Sequence, residues 1–77
     1  MKYTGSILRN GRVIARGWTI NIRTQGKRWS GEIVLETESS IFPGGYGLHL
    51  NDGRKGQITV SVVDGETAYF EGDGELK

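Results

Sequence analysis

Apolar residues recur at every second position in short runs along the chain, and glycine-bearing turns separate the runs. Ile14, Trp18, Ile20 and Ile22 share one parity, with Val13, Ala15, Gly17, Thr19 and Asn21 between them. Trp29, Gly31, Ile33 and Leu35 repeat the pattern, as do Tyr46, Leu48 and Leu50, then Ile58, Val60 and Val62, then Ala68 and Phe70. A period of two marks strands with one buried face. No stretch carries the period of a long helix, and ESSIF makes at most a single turn. The pattern predicts one all-β domain over residues 1–77, with strands at about 2–9, 12–23, 28–36, 46–50, 57–63 and 66–72. These form either a small antiparallel barrel or two facing three-stranded sheets.

Turn chemistry sets the expected registers. Asn10-Gly11 is a two-residue type I′ signal, since both central residues of that turn need positive φ. It places Ile7 opposite Ile14 and Tyr3 opposite Trp18. Around Gly26 the loop must hold an even number of residues; Thr24 to Lys27 satisfies this and sets Ile22 against Trp29 and Trp18 against Ile33. In the second half the loops must be odd. A three-residue loop, Val63-Asp64-Gly65, with a bulge sets Val60 against Ala68 and Ile58 against Phe70. A three-residue reversal within 51–55 keeps Leu48 and Ile58 on one face, so NDGRKG reads first as a turn. Residues 37–45, containing Pro43-Gly44, form the one long connection. The predicted core is Tyr3, Ile7, Ile14, Trp18, Ile20, Ile22, Trp29, Ile33, Leu35, Leu48, Leu50, Ile58, Val60, Val62 and Phe70. If the sheets stay open, the edges of strands 1 and 3 are exposed.

A chain of 77 residues buries only roughly 60% of its unfolded surface, so its stability should lie at about 4 to 12 kcal/mol. There is no cysteine, which removes disulfides and thiolate metal sites and leaves apolar packing to hold the fold. Two Trp, three Tyr and two Phe, with clear periodicity, argue against disorder. No apolar leader or span is visible, and the expectation is a soluble cytoplasmic chain without membrane partners.

Candidate chemistry is thin. Asn51, Asp52 and the EGDGE run (Glu71, Asp73, Glu75) supply oxygen ligands, but the EF-hand spacing is missing, and acids beside glycines are ordinary turn residues. His49 is the single imidazole. It lies on an outward face with Gln57, Thr59 and Ser61 on the neighbouring strand, yet no nucleophile signature surrounds it. PGGYG lacks the order of a phosphate loop. No catalytic residue, metal or cofactor is assigned, and the chain is read as a non-enzyme.

Charge is more informative. Residues 1–35 hold Lys2, Arg9, Arg12, Arg16, Arg23, Lys27 and Arg28 against Glu32, a net +6, whereas residues 36–77 hold eight acids and three bases, a net −5. The bases form two groups, Arg9 and Arg12 at one turn and Arg23, Lys27 and Arg28 at another, at opposite ends of a long strand. Trp18 and Trp29 face the core, so no stacking platform for single-stranded nucleic acid is visible; Tyr69 alone of the aromatics points outward. The leading expectation is a protein-interaction module, a homo-oligomer or a small accessory or inhibitor protein, pairing oppositely charged sheets or exposed edges. The alternative is a nucleic-acid-binding barrel that uses the basic N-terminal half. Candidate binding residues are Arg9, Arg12, Arg23, Lys27, Arg28, His49 and Tyr69.

Overall fold

A computed structural model of the chain describes residues 2–35 and 41–77. Six strands occur in it: β1 (Lys2–Arg9), β2 (Arg12–Gln25), β3 (Arg28–Val34), β4 (Gly44–Leu50), β5 (Lys55–Asp64) and β6 (Thr67–Asp73). All are antiparallel to their neighbours, and in the order β1-β2-β3-β6-β5-β4 they close into a barrel. Closure decides between the two predicted architectures. It also removes the expected free edges: β1 is bonded to β2 and β4, and β3 to β2 and β6. The ESSIF stretch and the carboxyl end of the third predicted strand fall largely on residues 36–40, outside the described residues. Leu35 and Ile41, on either side of that stretch, are both buried.

The first hairpin turns at Asn10 and Gly11, both with positive φ (53° and 78°), as a type I′ turn requires. Beyond the turn the register departs from expectation. Ile7 pairs with Ala15 and Gly5 with Trp18, so β2 carries one extra residue before Ala15 and another before Trp18. Each bulge reverses the face of the residues beyond it. Ile14, expected in the core, is therefore turned outward and 49% exposed, Ala15 takes its place, and after the second bulge Trp18, Ile20 and Ile22 face inward. Gly17 lies in that second bulge with φ 70°, a left-handed backbone that suits glycine. Bulges bend and twist a strand, and a small closed barrel needs its long strand bent.

The second hairpin is tighter than expected. Gln25 pairs with Arg28 across Gly26-Lys27, which sets Ile22 against Gly31 and Ile20 against Ile33. The even parity holds, but the pairing slides by two residues.

At the third, Leu50 and Arg54 bracket a three-residue reversal, with Leu50 N donating to Arg54 O (2.8 Å) and Gly53 N to Leu50 O (3.0 Å). In the last hairpin Asp64 pairs with Thr67 across Gly65-Glu66, and Val60 pairs with Phe70 instead of Ala68. The odd residue that parity demands sits at Ser61, as a bulge inside β5 and not in the turn. Val62, expected inside, is consequently 53% exposed, and Val63 packs against the core instead.

Among the described residues, sixteen buried apolar side chains fill the barrel and no polar side chain is buried. Ile41, Tyr46, Ala15 and Ala68 join the predicted core, and Tyr3 lies half-buried against it. The Tyr46 hydroxyl donates to Phe42 O (2.7 Å) and accepts from Phe42 N and Arg9 Nη1, both at 3.3 Å, so its buried ring keeps a satisfied polar tip. No helix among the described residues is long and apolar enough to cross a membrane.

Candidate functional site

The strand order keeps the two halves of the chain apart. β1, β2 and β3 form one side of the barrel wall and β6, β5 and β4 the other, so the basic and acidic halves of the sequence become basic and acidic sides. They meet at two seams, β3 with β6 and β1 with β4.

The β3–β6 seam carries an unusual outer surface. Ile33, Ala68 and Phe70 point into the core, so Val34 and Tyr69, one step along each strand, point out. Tyr69 pairs with Val62 on β5 and with Glu32 on β3, and Val34 pairs with Thr67, two residues from Tyr69. Val34 (41% exposed), Tyr69 (39%) and Val62 (53%) therefore form a diagonal apolar patch on the wall. Toward the end of the barrel that bears the Gly26-Lys27 turn, charge replaces it. On the basic side are Arg23, whose Nη1 lies 2.5 Å from Glu32 Oε1, and Arg28. On the acidic side are Glu71, opposite Ser30, and Asp73, which accepts the Thr59 hydroxyl at 2.6 Å.

Arg23, Lys27 and Arg28 are thus brought together as expected, around the β2–β3 turn. They border two adjoining clefts of about 550 and 610 Å³ that share Thr24, Arg28, Trp29 and Gly72. The Trp29 indole forms the floor and is buried; its Nε1 donates to Gly74 O (2.8 Å), and its ring meets Phe70 edge-on at 6.0 Å. Residues after β6 fold across this end, with Lys77 N donating to Lys55 O (2.8 Å) and Leu76 against the core. Lys27 and Arg28 make no ion pair among the described residues.

Arg54, not anticipated as a site residue, lines the second cleft. Its charge is already engaged. The backbone N of Arg54 donates to Asp52 Oδ1 (3.0 Å), its Nε pairs with Oδ2 (2.9 Å), and its guanidinium lies 5.0 Å from the centre of the Tyr3 ring. The Asp52 carboxyl is held below the usual aspartate range, chiefly by the Arg54 backbone N–H, while side-chain hydrogen bonds to the Tyr3 oxygen, then to Asp52, which accept from the guanidinium, raise the Arg54 guanidinium. Asp52, Gly53 and Arg54 of NDGRKG are thus engaged within its own turn.

Arg9 and Arg12 face each other at the opposite end, beside the Asn10-Gly11 turn, and Arg9 lies 5.5 Å from the Tyr46 ring centre. The sequence therefore placed two separate basic groups correctly. His49 points outward between Ser6 on β1 and Lys55 on β5, in a cleft of about 390 Å³ with Gln57 and Gly47. Thr59 and Ser61 spend their hydroxyls elsewhere, on Asp73 and on Tyr69 O.

Tyr69 is outward as expected, but Phe42, 72% exposed, is a second outward aromatic. Sequence reasoning misses the patch itself: alternation assigns Val62 to the core, and the adjacency of β3 and β6 gives no local signal.

No protein-family model, curated protein or solved structure matches the chain.

Proposed function

We propose that the chain is a non-enzymatic protein-interaction module that docks through the outer wall of its barrel. The observation that carries this reading is the Val34–Tyr69–Val62 patch on a wall whose other outward positions are mostly polar. Among the described residues every strand is bonded to a neighbour on both sides, which disfavours β-strand addition and directs recognition to side chains. An aromatic residue with aliphatic neighbours and a charged surround is the usual make-up of a docking surface. Placing a photo-crosslinking amino acid at Tyr69, with Thr4 on β1 as the control position, tests it. Protein adducts that form at 69 and not at 4 support the reading; failure of position 69 to crosslink any protein in native extract sinks it.

A second reading, nucleic-acid binding, is favoured by one observation: among the described residues Lys27 and Arg28 are free of ion pairs, and they border the two clefts. Phosphate contacts are made by such cations, with a strong salt dependence. Fluorescence anisotropy with mixed-sequence oligonucleotides at low salt decides it. Binding that weakens with salt and with Lys27→Gln/Arg28→Gln supports this reading, and no binding removes it.

A further inference from the structure

We infer that the partner at the β3–β6 seam is a second copy of this chain, related by a two-fold axis running along the seam parallel to the strands; this rests on the interaction reading above. Charge and register both favour this pairing. The seam divides a basic side from an acidic side, and a two-fold axis laid along it places β3 of one copy over β6 of the other. Going down the strands from Val34↔Thr67, the outward pairs are Glu32↔Tyr69 and Ser30↔Glu71. Arg28 and Asp73 are the next outward residues on each strand.

Across the axis Arg28 of each copy then meets Asp73 of the other, twice by symmetry. Arg23, on the strand beyond β3, comes within reach of the partner's acidic side. The apolar patch lies farther up the same strip and is covered at the same time, Tyr69 of each copy lying over Glu32 of the other and Val34 over Thr67. Like charges would meet in any face-to-face pairing of two basic sides or of two acidic sides, which costs affinity. A head-to-tail contact of basic side on acidic side would leave one basic and one acidic side free in any pair, and so builds a larger ring or an open filament in place of a closed dimer. Both seams join a basic side to an acidic one, so a closed contact at either satisfies both signs; the β3–β6 seam is the one that also carries the apolar patch. Two convex walls touch along a narrow strip, so the dimer is weak, and its flanking charges are exposed to salt.

Sedimentation velocity of the full chain over a wide concentration range tests this, with circular dichroism confirming that each variant is folded. The wild type should dimerise, with an apparent Kd that rises about tenfold between low and high salt as the flanking charges are screened. Arg28→Asp alone and Asp73→Arg alone should each be monomeric where the wild type is dimeric. Their equimolar mixture should form a one-to-one heterodimer, because one contact pairs the two introduced charges while the other keeps native Arg28 against native Asp73. Tyr69→Ser should weaken the dimer about tenfold by removing the ring that covers the other copy's Glu32 stem and the strip around it. A monomer at every concentration, a dimer indifferent to salt and to Arg28→Asp, or a mixture that stays monomeric overturns the proposal. Crosslinking from position 69 only to a different protein overturns the second copy while leaving the interaction reading in place.

Discussion

The Trp29 indole lies against the backbone of Gly72 so closely that a methyl group on Gly72 would overlap the ring at its fusion carbons and Nε1. The same ring abuts Gly56, where an added Cβ would stand 3.0 Å from Cζ2. Glycine at these two positions lets a tryptophan plug the end of the barrel that bears the Gly26-Lys27 turn. Gly72→Ala should therefore cost about 3 kcal/mol, at the upper end of ordinary overpacking. Gly45→Ala, whose added Cβ would meet nothing nearer than a carbonyl oxygen at 4.0 Å, should stay within about 0.5 kcal/mol. Urea denaturation of both variants is the check, and equal midpoints would show that Trp29 does not sit on Gly72.

Trp18 is buried while Ile14, four residues earlier, is exposed. Trp18→Ala should cost about 3 to 5 kcal/mol, a large share of the stability of so small a domain. Ile14→Ser should cost no more than about 0.5 kcal/mol. A comparable loss from both, measured by chemical denaturation, would place Ile14 inside and deny the first bulge.

Gly17 has open space around the position of a Cβ but a left-handed backbone. Gly17→Ala should cost about 1 to 2 kcal/mol through backbone strain alone. Gly17→Asn should cost less, since asparagine visits that conformation more readily. Thermal melts that rank alanine above asparagine would mean that the second bulge is absent.

Because the Asp52 carboxyl is held below its ordinary value in the folded chain, its contribution to stability has a defined sign. That contribution is fully present above the unfolded aspartate value and disappears as pH falls through the lower folded value. The stability difference between the wild type and Asp52→Asn should thus be constant near neutral pH and shrink on acidification. Denaturation curves collected from neutral to acid pH measure it; a difference that grows as pH falls would contradict the Asp52–Arg54 geometry.

Local step parity was enough to identify the all-β class, the inward set Trp18, Ile20, Ile22, Trp29, Ile33, Leu48, Ile58, Val60 and Phe70, the Asn10-Gly11 turn and a three-residue reversal within 51–55. Alternation and positive-φ turn chemistry are properties of neighbouring residues, so the sequence alone determined them. Parity shows that an odd residue is needed between β5 and β6, but not where it goes. Only the packing of a closed barrel placed it at Ser61, which turned Val62 outward, and the same closure put two bulges into β2 and turned out Ile14. The two basic groups were legible because each flanks its own turn. The apolar patch was not, because Val34 and Tyr69 become neighbours only when β3 bonds to β6. That pairing is set by the requirement that a six-stranded sheet leave no edge, a condition on the whole chain that no short stretch of it records.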